Sequence, residues 1–403
     1  MDPIRRAALT YVVYFTAIGA SWAYLPVYYR DLGLGLATIG LLSAFSAGIQ
    51  LVAAPAWGLL SDRYPRSRMG LPAAALVAAV GASLLALSSG SPALPISVAV
   101  MSVGLAGIGP VLDARTLELL GDRASRYGEV RAIGSFVFVL VALVVGVLMD
   151  RAGTGALFIV YVPALLGTAI AGRRIPRGGG RPRHTARRGV GAVIRAPGIL
   201  AFLGGALLTW ALVTAVNSFY SIQVIALGGS PQLVGVVWAI GAAVEVPVMF
   251  GHRRLAERIG PGAVLLLGAT AYAVRAGLAA ASPDARFLIA IAPLEGLGYG
   301  LLFPGSVGFI AARAPSGLGA TAQGVLSATF GLSAIVGSAL GGIIAGTTSI
   351  DTMFAVAAAG GVAGAVLLAL AARAPSPMGA AHDPGPGPTS IDPLPVLPDE
   401  LHP

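Results

Sequence analysis

Apolar residues run along this chain in long blocks rather than at a strand or amphipathic-helix period. Twelve such blocks can be marked. The first six lie near 7–29, 36–60, 70–89, 93–117, 130–149 and 154–172, and the second six near 198–222, 232–251, 262–281, 286–312, 318–346 and 351–372. A bilayer core about 30 Å thick is crossed by roughly 20 apolar residues in helical form, so each block predicts one membrane-spanning helix. Glycine recurs inside the blocks, as expected where helices pack closely with no hydrophobic force between them. The first block follows Arg5 and Arg6, as a secretory leader would. Its length, its aromatic residues (Tyr11, Tyr14, Phe15, Trp22, Tyr24, Tyr28) and the want of a small-residue cleavage site predict a retained span instead.

Composition agrees with the pattern. Of 403 residues 56% are hydrophobic and 11% charged, with a mean hydropathy of +0.84. Soluble domains carry roughly 25% charged residues. The net charge of +9 comes from 26 basic residues, all of them arginine. Twenty arginines fall in one set of connections: Arg5, Arg6, Arg63, Arg66, Arg68, Arg123, Arg126, the eight from Arg173 to Arg195, Arg253, Arg254, Arg258, Arg313 and Arg373. Only Arg30, Arg151 and Arg286 fall in the opposite set. This asymmetry predicts that both termini face the cytoplasm. It accounts for the basic charge without any nucleic-acid partner, and the lipid bilayer and a small-molecule substrate are the expected partners of a monomer. The arginine-only, Ala/Gly-rich usage points to a high-GC bacterium and hence to its plasma (inner) membrane. With no cysteine, thiol chemistry and Cys-ligated metals are excluded. The four histidines, His184, His252, His382 and His402, are placed in loops or the tail. No metal, no cofactor and no enzymatic function are therefore expected.

Residues 173–197, polar and rich in Gly, Pro and Arg, read as a cytoplasmic linker between an N-terminal six-helix bundle (1–172) and a C-terminal one (198–373). Residues 374–403, rich in Pro, Gly and Asp, read as a disordered cytoplasmic tail. The halves echo each other. Pro55 near the end of the second block precedes Gly70, and Pro247 near the end of the eighth precedes Gly260, with short arginine-rich loops in both gaps. The fold class predicted is an all-α polytopic membrane protein of twelve helices in two pseudo-symmetric bundles.

The second loop reads Gly58-Leu-Leu-Ser-Asp62-Arg63-Tyr-Pro-Arg66-Ser-Arg68. Gly58 would let another helix approach closely, and Asp62 could pair with arginine or cap a helix. The segment matches the G-x-x-x-D-R-x-x-R pattern of the major facilitator superfamily, which the chain resembles. By that resemblance Gly58, Asp62, Arg63 and Arg66 form a conformational gate steadying one state of an alternating-access cycle. Tyr127-Gly-Glu-Val-Arg131-Ala-Ile-Gly134-Ser135 is similar to the segment opening the fifth helix of phenylpropionate-permease-like and nucleoside-symporter-like members. Glu245-Val-Pro247-Val-Met-Phe, and Ala320-Thr-Ala-Gln323-Gly324 through Gly341-Gly342, resemble the eighth and eleventh helices of the phenylpropionate-permease-like group. Many relatives of that group carry a leucine–histidine pair where this chain has Leu294-Glu295. The fifth helix lacks the proline-containing signature common in drug/proton antiporters, which favours symport.

Ionisable residues inside a span cost roughly 2.5–3.5 kcal/mol each and therefore mark function or pairing. Here they are Asp113, Arg115, Glu118, Glu245, Arg275 and Glu295, with Arg131 at the start of the fifth helix. Arg115 and Glu118 stand about 60° apart on a helix and can pair, whereas Asp113 lies about 140° from Glu118. Structural ion pairing competes with function for those near helix ends. The functional expectation has Arg115 or Arg131 holding an anionic substrate group and one carboxylate of Asp113, Glu118, Glu245 and Glu295 carrying a coupled proton, with Arg275 counted among the proton-coupling candidates. Tyr14, Trp22, Gln50, Trp210, Asn217 and Tyr220 are candidate lining for a ring-bearing solute, with interfacial or packing roles as the plain alternative. The function expected is proton-coupled symport of an aromatic acid, a nucleoside or a sugar, with sodium coupling left open. Its alternatives are a proton-coupled exporter of drugs or metabolites and a non-transporting membrane sensor.

Overall fold

Proline and glycine decide where these helices stop and bend. The computed structural model describes residues 3–64, 69–88, 92–120, 127–175 and 189–374. Its helices are α1 (Pro3–Ser21), α2 (Leu25–Asp31), α3 (Leu36–Arg63), α4 (Gly70–Leu87), α5 (Leu94–Leu120), α6 (Tyr127–Ala152), α7 (Leu157–Gly172), α8 (Val190–Arg195), α9 (Ile199–Ala226), α10 (Pro231–Ile259), α11 (Pro261–Ala280), α12 (Ala285–Ala290), α13 (Pro293–Arg313), α14 (Gly319–Thr347) and α15 (Ile350–Arg373). They supply 12 stretches long and apolar enough to cross a membrane. All-helical backbone is what a hydrocarbon environment requires, since each N–H and C=O must be paired within the protein.

Three helix boundaries differ from the hydropathy pattern. The first span is interrupted at Trp22–Tyr24, where Pro26 follows two residues later in the first turn of α2. The tenth is interrupted at Ile291–Ala292, where Pro293 opens α13. Proline has no N–H to donate and its ring crowds the carbonyl four residues back, so each break follows from the local sequence. The eighth helix runs on to Ile259, which places His252 inside α10 rather than in a loop. There His252 is half-buried against Gly305 of α13. His184, His382 and His402 lie outside the described residues, as do most of the predicted linker and the predicted tail. Within the described end of the linker, residues 190–195 form α8, whose Val193 is buried.

The two sets of six spans pack in the same way. In the first, α4 meets α5 and α7, α1 meets α6 and α7, and α3 meets α5. In the second, α11 meets α13 and α15, α9 meets α14 and α15, and α10 meets α13. Span for span these are the same five pairings. The prolines repeat too, with Pro55 and Pro247 inside α3 and α10, and Pro110 and Pro304 inside α5 and α13. Between the sets, α3 packs on α14 and α6 on α10.

These cross-contacts tighten toward the end of the molecule opposite the termini. A Cβ on Gly40 of α3 would lie 2.5 Å from the Gly342 Cα of α14, and one on Gly346 would lie 2.8 Å from the Ala37 nitrogen. On the other pair, a Cβ on Gly146 of α6 would lie 2.7 Å from the Pro231 carbonyl oxygen, and one on Gly235 of α10 would lie 2.6 Å from that of Ala142. Such backbone approach is possible only at glycine. Toward the termini, Gly58 of α3 and Gly319 and Gly324 of α14 have no atom within 4 Å of where a Cβ would sit. Among the described residues, no other helix makes the expected close approach at Gly58.

Candidate substrate and coupling site

The centre of the C-terminal half is organised by α13. Gly296 and Gly300 lie four residues apart on one face, and Cβ atoms there would stand 2.6 Å from the Glu245 nitrogen and 3.2 Å from its carbonyl oxygen. This stripe brings α10 against α13 and sets Glu245 beside Glu295. Glu295 occupies the first turn of α13, just past the break, where the helix N-terminus favours negative charge. On the α11 side, Gly298 receives the ring of Tyr272.

Four groups converge on Glu295. Arg275 of α11, only 1% exposed, places Nη1 2.8 Å from Glu295 Oε2. The Tyr272 hydroxyl donates to Oε1 at 3.1 Å, and Asn217 Nδ2 of α9 donates to the same oxygen at 3.1 Å. Asn217 Oδ1 in turn accepts from Arg275 Nη1 at 2.9 Å. The Arg275 guanidinium lies 4.0 Å over the Tyr220 ring, and the Tyr220 hydroxyl donates to the Leu288 carbonyl at 2.8 Å. Glu245 completes the group as a second carboxylate within electrostatic range of Glu295.

The N-terminal half contributes a smaller cluster. Tyr11 of α1 donates to Asp113 Oδ1 of α5 at 2.5 Å. Arg131, at the start of α6, lies 5.0 Å over the Phe15 ring and within electrostatic range of Asp113, Tyr11 and Tyr127. It also reaches across the molecule electrostatically, to Tyr299 and Glu245 of the other half. The Tyr14 hydroxyl stands against Gly109 and senses both Asp113 and Arg131.

An aromatic wall adjoins these charges. Trp210 of α9 is surrounded by Tyr299 at 5.8 Å, Phe303 at 6.3 Å, Phe330 at 4.9 Å and Tyr272 at 6.5 Å between ring centroids. Tyr299 and Phe303 stack at 5.3 Å. The indole Nε1 of Trp210 is buried without a hydrogen-bond partner among the described residues.

The structure thus brings together Tyr14, Arg131, Asp113, Trp210, Asn217, Glu245, Arg275 and Glu295, and separates the other candidates from them. Arg115 follows Asp113 by two residues, some 200° round α5, so it faces away from Tyr11. It is buried beside Gly70 at the start of α4, interacting electrostatically with the exposed Glu118. That placement removes Arg115 from the group expected to hold an anion. Trp22 is 60% exposed at the break in the first span, more than two turns from Tyr14. Gln50 donates to Ser46, which pairs with Ser102 of α5 at 2.7 Å, inside the N-terminal half. Tyr220 is fully buried and supports Arg275 instead of lining an open pocket. Of the gate motif, Arg63 is exposed in the last turn of α3. Arg66 and the Asp62 side chain lie outside what is described. Tyr11, Tyr272 and Tyr299 were not among the candidates. Tyr11 and Tyr272 each stand three residues before a candidate, Tyr14 and Arg275, on the same helical face, which is the signal that would have found them.

Twelve spans in two like-packed halves, with charged and aromatic residues buried among them, define a polytopic membrane protein. The chain belongs to the MFS_1 like family, which matches residues 4–356. It is 29% identical over 323 residues to a maltose permease of Geobacillus stearothermophilus, covering 79% of this chain and 82% of that one. It is 27% identical over 322 residues to a probable 3-phenylpropionic acid transporter of Escherichia coli (strain K12), covering 78% and 83%. Among solved structures it is similar to the nucleoside transporter NupG, with a TM-score of 0.82 at 15% identity over 93% of this chain and 100% of that one. It is also similar to a bacterial homologue of the lysosomal transporter Spinster, with a TM-score of 0.71 at 14% identity over 92% and 96%. The fold is accordingly that of the major facilitator superfamily.

Proposed function

We propose that this transporter imports a small, neutral, ring-bearing polyhydroxylated solute, a sugar before a nucleoside, together with a proton. The observation that carries the reading is the charge balance of the centre. Among the described residues, Asp113, Glu245 and Glu295 face only Arg131 and Arg275, and Arg275 is already engaged by Glu295. One surplus negative charge in a low-dielectric site is relieved by binding one proton, and Glu245 with Glu295 is the carboxylate pair that would share it. Sodium is disfavoured by the donor set: a guanidinium, an amide N–H and a phenol O–H surround Glu295, and none supplies the oxygen cage a hard cation needs.

The same balance bears on cargo. With Arg115 turned toward α4 and Arg131 beside Asp113, the centre has no spare guanidinium among the described residues for a substrate carboxylate. A neutral solute stacked on Trp210 and Tyr299 fits better, with hydroxyls reaching the polar groups next to them. The similarity to a maltose permease supports this choice over an aromatic acid. In this reading the terminus end, where most arginines lie, faces the cytoplasm of a plasma membrane and the far end is the sealed outer gate.

The test is uptake by proteoliposomes holding the purified protein under an inward proton gradient, with maltose, uridine, 3-phenylpropionate and a lipophilic cation as cargoes. Gradient-driven accumulation of the sugar, abolished by Glu295→Gln while sugar exchange persists, is the expected result. Accumulation of 3-phenylpropionate alone would overturn the cargo assignment. Proton-driven extrusion of the cation would overturn import.

A further inference from the structure

Asn217 uses both ends of its amide. Arginine offers donors and no acceptor, so the Asn217 carbonyl must face Arg275 and its NH2 must face Glu295. The contacts at 2.9 and 3.1 Å are those two bonds, and the 2.8 Å contact between Arg275 and Glu295 closes the triangle across α9, α11 and α13. Few side chains fit this corner. A carboxylate would compete with Glu295 for Arg275, and an aliphatic group would leave two buried polar groups unmatched.

The triangle responds to the charge on Glu295. While Glu295 is ionised, it draws both Arg275 and the Asn217 NH2. Once it is protonated, both attractions weaken, and the Asn217 carbonyl becomes the strongest acceptor left to Arg275. The hold on α9 then shifts from α13 toward α11. Seven residues before Asn217 on α9 is Trp210, nearly two full turns away and so within about 20° of the same face. α9 thus carries both the central indole of the aromatic wall and the amide beside the carboxylate.

We infer that Asn217 is the positioning residue that links the protonation of Glu295 to the substrate-facing helix α9. The inference rests on the proton site proposed above. The titratable and charged groups around Glu295 are Arg275 and Tyr272 from α11, Glu245 from α10, Tyr220 from α9 and Tyr299 from α13 itself. Arg131 of α6 reaches the same group through Glu245 and Tyr299. α14 carries no titratable side chain, and α12 carries only the exposed Arg286.

The experiment compares wild type with Asn217→Leu and with the near-isosteric Asn217→Asp, reading sugar accumulation and sugar exchange across external pH. Removing the amide donor from an ionised carboxylate favours its protonated form. The midpoint of the accumulation profile should therefore move about one pH unit upward in Asn217→Leu, the worth of one hydrogen bond to a charged group. Asn217→Asp should move it in the same direction, because a second carboxylate then faces Glu295. Exchange, which needs no net proton movement, is read on the same samples, so that a shifted midpoint counts for the inference at whatever exchange rate remains. A midpoint unmoved in both variants, or accumulation and exchange lost together in both, would reduce Asn217 to a packing residue and overturn the inference. Glu295→Gln, run alongside, separates the two ideas. If it still accumulates sugar normally, the proton site itself is wrong, whatever Asn217 does.

Discussion

Gly40 of α3 and Gly342 of α14 touch backbone to backbone across the two halves, each where the other's side chain would otherwise stand. This crossing and its counterpart at Gly146 and Gly235 hold the two halves together at the end away from the termini, the end read above as the sealed outer gate. Each half is also packed internally through five helix pairs of its own, so this crossing is not what holds either half together.

Gly40→Leu should therefore fold and fail to transport. Overpacking of this kind costs about 1–3 kcal/mol, which would disfavour the sealed state roughly 5- to 150-fold. Accumulation should drop to the background of empty liposomes, while the thermal unfolding temperature in detergent changes by only a few degrees. Normal accumulation would mean that α3 and α14 need not meet in the transport cycle.

Arg275 is buried beside a carboxylate, and removing one member of such a pair leaves an uncompensated charge. Arg275→Met should destabilise the protein by about 3–5 kcal/mol, read as a fall in thermal stability and in the yield of folded protein. The double variant Arg275→Met/Glu295→Gln should recover most of that loss, since two neutral groups of similar volume replace the pair. If the double variant is as unstable as the single one, the cost lies in the stacking on Tyr220 and not in charge.

Trp210 carries the third prediction. With four aromatic neighbours within 6.5 Å it is the middle of the wall, not its edge. Trp210→Ala should weaken sugar binding about tenfold, the equivalent of roughly 1.5 kcal/mol of ring contact, whereas Trp210→Phe should keep most of it. Ligand-induced thermal stabilisation at several sugar concentrations measures both. Equal binding by all three proteins would move the substrate off this wall.

How much of this was legible in the sequence follows from what each signal averages over. The bilayer imposes one length on every span, so twelve blocks could be marked from hydropathy, and the arginine asymmetry separated the two sets of loops. Hydropathy is blind to backbone direction, which is why the interruptions at Trp22–Tyr24 and Ile291–Ala292 were absorbed into continuous blocks although Pro26 and Pro293 were in plain view. His252 was assigned to a loop because polar residues follow it, yet α10 continues through them to Ile259. For the candidate site, an unpaired-looking charge in a span singled out Glu295, Arg275, Glu245 and Asp113 as residues to watch, because the membrane penalises such residues. The same criterion admitted Arg115. The angular arithmetic separated it from Asp113 but could not say which of the two faced the centre, because that depends on where α4 lies. The tyrosines that bond Asp113 and Glu295 gave no hydropathy signal at all, since a phenol in a span is common and becomes informative only beside its carboxylate.

Tyr24 yields the last prediction. It sits at the break between α1 and α2, fully buried, and its hydroxyl donates to the Ala142 carbonyl of α6. The same oxygen stands 2.7 Å from a Cβ position on Gly146 of α6 and 2.6 Å from one on Gly235 of α10. One phenol is thus held between glycines of opposite halves at the sealed end, and parting the halves there must uncover it. Tyr24→Phe removes the hydrogen bond but keeps the ring. A side-chain hydrogen bond between spans is worth about 0.6 kcal/mol on average, close to threefold in a population. A reporter is available because the chain has no cysteine of its own. On Ala37→Cys/Gly346→Cys the introduced side chains would start 2.9 Å apart at Cβ, close enough to bridge once the two helices give by about 1 Å. That bridge should form readily in the otherwise native protein, stop transport, and release it again on reduction. Adding Tyr24→Phe should slow its formation about threefold by lowering the sealed population. An unchanged bridging rate would show that the Tyr24 hydroxyl does not hold the far end closed, and a bridged protein that still transports would show that this end does not open.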